Sequence, residues 1–311
     1  MPSVAIVGSC NIDLIFRLER LPQLGESLPA LGFEIAAGGK GLNQAVAAAR
    51  LGAVTAMVGA VGQDVFGEML LKVLAQEGID HTCVYKDRKH GTGVACPLLD
   101  AEGRNAIVVA PRANGHLTPK AVAAAESVIA QSDILLLQQE APADANLAAA
   151  QIAGRHQTTV MLNAAPARPV APDLLRLTHV LVLNEVEAAQ LSGEDTGSRE
   201  GVLAAAQCLH ELGPAIVVIT LGSEGVFFLT QDAASWAPAY SVKVVDTTGA
   251  GDAFCGGLAV GLASGKGLGE AVNYANACGA LACTVLGAAP SMPTEDDVAT
   301  FLSRRRRTRG A

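Results

Sequence analysis

Short runs of β-branched and leucine residues alternate along the chain with longer alanine-rich runs, and the two kinds carry different periods. Residues 4–7, 55–58, 134–137, 159–162, 180–183 and 216–220 are nearly all apolar, which predicts strands buried on both faces. Between them, residues 42–51, 66–77, 119–130, 144–153, 185–191, 199–212, 250–263 and 268–286 repeat apolar positions three and four apart, which predicts helices. Such alternation implies a three-layer α/β/α domain with a mostly parallel central sheet. Ligands then belong at the carboxyl ends of the strands. Two regions break the rhythm. Residues 12–35 and 93–109 hold strand-like segments and turn signals with no helix between them, and together they predict a small projecting sheet able to lid a pocket. No fixed-period repeat or low-complexity linker divides the chain, so residues 1–311 are expected to form one domain carrying that lid.

The most regular helical run follows a turn with almost no side chain. In VDTTGAGDAFCGGLAVGLASG (residues 245–265), Gly249, Ala250 and Gly251 precede Asp252, after which Ala253, Phe254, Gly257, Leu258, Gly261 and Leu262 mark a buried face. A glycine turn opening a helix presents unpaired N–H groups and the positive end of the dipole, a natural phosphate cradle. A carboxylate there repels an anion, unless it takes a proton from the group that attacks the phosphate. The alternative is a tight turn with an ordinary first-turn Asp, which stabilises a helix by roughly 0.3–1 kcal/mol.

Other candidates also fall at strand ends. In GSCNID (8–13), Asn11 and Asp13 lie two apart and point the same way on an extended segment, which suits the hydroxyls of a polyol or a simple turn. AAGGKGLNQAV (36–46) is a second glycine turn opening a helix, with Lys40 and Asn43 as donors. It is not a P-loop, since Glu34 stands where the first glycine is required and Gly41 where Ser or Thr must be. Glu140 follows the strand 134–138. In NEVE (184–187), Asn184 and Glu187 read either as a hydrated-magnesium pair or as a capping box, and capping is the simpler account. TLGSEG (220–225) offers a glycine turn with Ser223 placed for phosphate or ribose. The six histidines show no metal spacing, and Trp236 reads as packing.

Composition narrows the classes. With 22 basic and 30 acidic residues the formal net charge is −8, which argues against a nucleic-acid partner. The basic cluster of residues 304–307 and 309 reads as a frayed, solvated tail. Seven scattered cysteines without a C-x-x-C pair fit neither a disulfide framework nor a zinc site, and suit a reducing cytoplasm; Cys255, Cys278 and Cys283 read as core thiols. The start, MPSVAIVGS, lacks a signal-peptide layout, and the charge-free run 271–294 is interrupted by Asn273, Asn276, Pro290 and Pro293, so no membrane association is expected.

Taken together, GSCNID, GGKGLNQA, the Gln138–Gln139–Glu140 strand end, LNAAPAR (162–168), NEVEAAQLSG, ITLGSEG and VDTTGAGDAF resemble the ribokinase family of sugar kinases from residue 4 to about Pro293. Within it, the likeness is nearest to the ribose-phosphorylating members. The resemblance implies that ATP donates its γ-phosphoryl to the 5-hydroxyl of D-ribose, with Mg²⁺ and an activating monovalent cation such as K⁺. It assigns Asp252 as general base and Gly249, Ala250 and Gly251 as the anion hole. Sugar contacts fall on Asn11, Asp13, Gly39, Lys40, Asn43 and Glu140. Nucleotide contacts fall on Asn184, Thr220, Gly222, Ser223, Gly225, Gly251 and Asn276, with Glu187 the magnesium and phosphate-positioning residue. The cation loop maps to Asp246, Thr248, Ala282, Val285, Gly287 and Ser291. The projecting sheet resembles a lid that also clasps a second subunit, implying a homodimer. Two positions depart from the family pattern. Leu42 stands where a small residue is expected, which would narrow or shift the sugar pocket, and Ala164 stands where proline is frequent. The acceptor therefore stays open between ribose and 2-deoxyribose, a nucleoside or a keto-sugar acid, with a catalytically silent sugar-binding regulator as the rival of another class.

Overall fold

A computed structural model describes residues 1–102 and 105–309. Its strands are β1 (Ser3–Val7), β2 (Asn11–Arg17), β3 (Gly32–Gly38), β4 (Val54–Gly62), β5 (Val84–Asp87), β6 (Gly93–Leu99) and β7 (Asn105–Ala110). There follow β8 (Ile134–Gln138), β9 (Thr159–Asn163), β10 (Val180–Asn184), β11 (Ile216–Thr220), β12 (Val226–Thr230) and β13 (Ala234–Ala237). The large sheet runs β13-β12-β11-β10-β9-β8-β1-β4-β5, parallel from β11 to β5 and closed at its other edge by the antiparallel pair β12 and β13. The small sheet, β3-β2-β6-β7, draws two strands from each of the regions that break the sequence rhythm. Residues 103–104, inside the stretch 93–109, lie outside the described residues.

Side-chain alternation divides the core in two. Val4 and Ile6 of β1, Ile134 and Leu136 of β8, and Val180 and Val182 of β10 face one cluster. Their neighbours Ala5, Val7, Leu135, Leu137, Leu181 and Leu183 face the other. The helices Lys40–Arg50, Ala250–Ala263 and Leu268–Ala282 cover the first face, and Ala143–His156 with Arg199–Glu211 the second. Each fully buried Leu or Ile contributes about 1.5–3 kcal/mol, so apolar burial on both faces fixes the layers.

Several expectations shift. The helix expected over 119–130 is two short ones, Pro119–Ala123 and Glu126–Ala130. The run 268–286 stops being helical at Ala282. Past that point the carbonyl of Cys283 accepts from the N–H groups of Val245 and Asp246, while Gly287 N–H donates to Asp246 Oδ2 instead of back into the helix. The expected frayed tail is instead the end of a helix, Glu295–Arg309. The Arg305 guanidinium lies 5.2 Å from the Phe301 ring centre and 6.0 Å from that of Tyr240, and it donates to the Ser241 carbonyl. Side chains beyond Arg305 in the arginine run lie outside the described residues. Leu42 is fully buried in the first core cluster, so its side chain goes into the core rather than narrowing a pocket. Cys255 and Cys278 are buried as expected, whereas Cys283 sits only half-buried at a cavity wall. All seven cysteines are free, and among the described residues no helix is long and apolar enough to cross a membrane.

The helices Lys40–Arg50 and Ala250–Ala263 touch through glycine. A Cβ on Gly256 would stand 2.5 Å from Ala47 Cβ. Overpacking of that kind costs about 1–3 kcal/mol, more than the ~1 kcal/mol of helix propensity that replacing glycine returns. Gly256→Val is therefore expected to lower the melting temperature and the turnover together; an unchanged melt would show that the two helices do not need this approach.

Candidate active site

The strand order places the carboxyl ends of β1, β8, β9, β10 and β11 side by side, and the turns after them meet the start of the Ala250–Ala263 helix. Two cavities occupy this rim. The smaller, about 240 Å³, is lined by Lys40, Asn184, Glu187, Thr220, Gly249, Gly251 and Asp252 among others. The larger, about 690 Å³, carries Asn184, Thr220, Gly222, Ser223, Gly225, Ala250, Gly251 and Asn276 on its wall. Asn184, Thr220 and Gly251 border both, so the two are halves of one cleft.

At the cleft's centre, Gly249 caps the helix in the left-handed region (φ 80°), and no side chain caps its first turn. Ala250 N–H donates to Thr247 O at 3.2 Å, while the N–H groups of Gly251 and Asp252 meet no capping side chain and border the cleft. Asp252 sits 6% exposed in that first turn. Its Oδ2 accepts from Asn43 Nδ2 at 2.9 Å and its Oδ1 from Gln44 Nε2 at 2.9 Å. Burial pushes the Asp252 carboxyl above its usual range; Lys40 and the two amides oppose the rise, and Glu140 adds to it. Lys40 is the counter-charge. Burial alone would lower its pKa, but Asp252, Glu140 and Glu187 together hold the ammonium above its ordinary value.

Asp13, on β2, completes an acidic ring. Burial first, then the charges of Glu140 and Asp252, raise its carboxyl to about 7. Glu140 Oε2 accepts from the Ser9 hydroxyl and from Lys40 N–H at 3.1 Å, tying the turn after β1 to the helix start next to Gly39. Asn11 Oδ1 accepts from Asn114 Nδ2 at 2.7 Å. Asn43 is buried, and among the described residues its Oδ1 has no hydrogen-bond partner. A buried orphan acceptor beside a base is costly unless a donor arrives from outside.

On the other side, Asn184 and Glu187 form a complete capping box: Asn184 Oδ1 accepts from Glu187 N–H at 2.8 Å, and Glu187 Oε2 from Asn184 N–H at 2.9 Å. Only Oε1 of Glu187 is left over for another role, in a buried carboxylate that desolvation raises against Asn184 and Lys40. Asn276 Nδ2 donates to Pro238 O at 2.8 Å, fixing the wall between β13 and the cleft.

The cation-loop positions are also brought together, though not as free ligands. Asp246 Oδ1 accepts from Thr248 N–H and its hydroxyl, at 2.9 and 2.7 Å, and Oδ2 accepts from Gly287 N–H at 2.9 Å. Burial acts to raise the Asp246 carboxyl, and these donors outweigh it and hold the group low. Ala282 O accepts from Val285 N–H, and the Ser291 hydroxyl donates to Ala288 O. Among the described residues no cluster of three or more histidine, cysteine or acidic side chains has metal-binding geometry, so a cation in this loop would rest on backbone oxygens.

Sequence reasoning passed over Gln44, Gln138, Asn163 and Asn114. Gln44 follows Asn43 directly, and neighbours on a helix point about 100° apart, so no spacing rule assigns both to one carboxylate. Asn114 lies in a short 3₁₀ turn remote in sequence and reaches Asn11 only through the fold.

Comparison with known proteins agrees with this geometry. The profile described as pfkB family carbohydrate kinase matches residues 1–295. A ribokinase of Haemophilus influenzae is 38% identical over 300 residues, covering 96% of this chain and 98% of its own. A deoxyribokinase of Salmonella typhi is 33% identical over 301 residues, with 96% and 98% covered. The structure of an Arabidopsis thaliana ribokinase complexed with ribose and ATP superposes with a TM-score of 0.92 at 32% identity, covering 97% of this chain and 98% of that one. With the profile matched over residues 1–295 and a relative 38% identical over nearly the whole chain, the chain belongs to the pfkB family of carbohydrate kinases.

Proposed function

We propose that this protein is an ATP-dependent ribokinase, transferring the γ-phosphoryl of ATP to the 5-hydroxyl of D-ribose. The observation that carries the reading is the Asp252 carboxylate, gripped by two amides at an uncapped helix start where the two halves of the cleft meet. Asp252 takes the proton of the attacking hydroxyl, and the Gly249–Ala250–Gly251 turn receives the charge that gathers on the transferred group. Phosphoryl transfer runs through a loose transition state, so holding both substrates in line supplies most of the rate. The sugar lies among Asn11, Asp13, Gly39, Lys40, Asn43 and Glu140, with the orphan Asn43 Oδ1 accepting from a ring hydroxyl. ATP lies along Asn184, Thr220, Gly222, Ser223, Gly225 and Asn276.

Magnesium suits the rim near Glu187, whose spare oxygen is compatible with holding a hydrated ion; when bound, it neutralises phosphate charge. The carbonyl-rich loop of Asp246, Thr248, Ala282, Val285, Gly287 and Ser291 suits K⁺. The small sheet acts as a lid within the single domain and as the surface of a homodimer. Phe33, Ile35 and Val108 stand exposed on one face of it, and an apolar face of this kind calls for cover. Seven free thiols favour a reducing compartment such as the cytoplasm.

A 2-deoxyribose acceptor is the second reading, favoured by the deoxyribokinase relative. Against it stands the cost of leaving Asp13 and Asn43 without a hydroxyl to meet. ADP release measured over ribose, 2-deoxyribose, nucleosides and keto-sugar acids separates these, and ribose is expected to have the highest kcat/KM; ribose binding without any ADP release would mark a silent regulator instead.

Asp252→Asn is expected to lower kcat by ~100-fold or more while ribose still binds, because one general base contributes about that much. Comparable turnover in the variant would remove Asp252 from the chemistry.

Asp13 gives a prediction about pH. Its folded pKa of about 7 lies above the ordinary value of 3.8, so the folded ligand-free protein holds a proton that the unfolded chain has released. Its contribution to stability is therefore complete below about pH 4 and is lost as pH rises to about 7. Asp13→Asn should melt higher than wild type at pH 8 without sugar, and should raise KM for ribose far more than for ATP. A variant melting lower at pH 8 would mean that Asp13 is not strained by its neighbours.

For the lid, Val108→Glu places a charge on a residue 67% exposed. Sedimentation should then report a monomer where the parent protein is a dimer; an unaltered dimer would put the interface elsewhere.

A further inference from the structure

The geometry points to Gln44 as a positioning residue that sets the direction and basicity of the Asp252 carboxylate. The inference rests on the assignment of Asp252 as the base. Asn43 and Gln44 leave the first turn of one helix in different directions, yet each meets a different oxygen of the same carboxylate at 2.9 Å. A carboxylate held on one oxygen can swing about its Cβ–Cγ bond; held on both, it keeps one plane. The remaining lone pairs then face a fixed direction.

Gln44 can serve this purpose only because its own amide cannot turn over. Its Oε1 accepts from Gln138 Nε2 at 2.7 Å, and the second proton of its Nε2 goes to Asn163 Oδ1 at 3.2 Å. Asn163 is oriented in turn by Nδ2 donating to Val182 O at 3.3 Å. Reversing Gln44 would set its oxygen against Asp252 and Asn163 and its NH₂ against the NH₂ of Gln138. Gln138 is packed against Gly8, where a Cβ would come within 2.0 Å of its Oε1, and that buried oxygen has no hydrogen-bond partner among the described residues. The chain Gln138–Gln44–Asp252, braced by Asn163, therefore runs from the ends of β8, β9 and β10 to the base. Gln44 and Gln138 are fully buried.

A buried amide array of this kind is expensive where apolar residues would pack, so its members need a task. Here Gln138 and Asn163 hold Gln44, and Gln44 donates to a carboxylate that must stay ionised at the bottom of a cleft. The groups facing Asp252 from the packed elements are Lys40 at the helix start, Glu140 after β8, Asp13 on β2, Glu187 on the far wall and Cys255 one turn along its own helix. Three are acidic, and all three favour the protonated base. Lys40 and the two amides oppose them, and of the amides only Gln44 is locked by further protein groups.

The test is the pH profile of ribose phosphorylation, measured as ADP release on the full chain for wild type, Gln44→Met, Gln44→Glu, Gln138→Met and Asp252→Asn. Methionine keeps the volume and removes the donor. A hydrogen bond to a charged group corresponds to about one pK unit or somewhat more, so Gln44→Met should move the acid limb of kcat upward by about one pH unit. The loss is then ~10-fold on the limb and only a few-fold on the alkaline plateau, with KM for ATP unchanged. Gln44→Glu adds a like charge and should move the limb further the same way. Gln138→Met leaves the donor and frees it to turn, so its shift is smaller and in the same direction; it decides the matter should Gln44→Met not fold. An acid limb at the wild-type pH in these variants, or a loss equal at every pH and confined to KM for ribose, overturns the role. If Asp252→Asn itself turns over normally, the base assignment fails rather than the positioning alone.

Discussion

A carboxylate that must keep its charge inside a protein constrains everything around it. Asp252 is almost wholly removed from water, and burial favours its neutral form. A general base for an alcohol has to stay ionised until the hydroxyl arrives. The protein resolves this with one buried ammonium, Lys40, and two amides on consecutive residues of the same helix. Lys40 and Gln44 are in turn held by groups further away, so the requirement spreads outward through the fold.

The helix Lys40–Arg50 can bring Asn43 and Gln44 to Asp252 only because Gly256 lets it approach the Ala250–Ala263 helix at alanine distance. Its start is held in place by the turn after β1, through Leu42 N–H donating to Ser9 O and Lys40 N–H to Glu140. The parallel sheet supplies Glu140, Asn163 and Asn184 from consecutive strands. A sheet of this type presents its chemistry along one edge, since all its parallel strands end on the same side. The Lys40 ammonium thereby feels carboxylates carried by several separate loops.

The cleft's two halves differ in the way their tasks differ. The side proposed for the sugar gathers Asp13, Glu140 and Asp252, and burial and mutual charge hold Asp13 and Asp252 above their ordinary pKa. The side proposed for ATP is a larger cavity with Gly222, Gly225 and Gly251 on its wall, which Asn276 braces. Acidic groups in the first half disfavour the polyphosphate there, and the shape of the second half suits it. Under the proposed function, polarity and volume together orient the two substrates toward Asp252.

Much of this was legible in the residues themselves. The short apolar strands, the alanine-rich helices and the helix opening at Ala250 are local properties, and the run 250–263 has the bounds its apolar spacing predicts. Asp252, Lys40 and Asn43 could be picked out as candidates after glycine turns, although an ordinary first-turn Asp and a plain helix start fit the same residues, and their meeting at one point is a property of the fold. The end of the helix at Ala282 was not legible, since the donors that take over its last carbonyl come from residues 245–246. Nor was the packing of Arg305 on Tyr240, which looks like an arginine tail until the two aromatic rings are brought beneath it. Spacing along a chain encodes which faces are buried and which turns are tight. Which oxygen of Asp252 meets which amide, and that Gln44 is locked by Gln138 and Asn163, depends on contacts across 94 to 209 residues of sequence separation, and only the packed tertiary structure decides those.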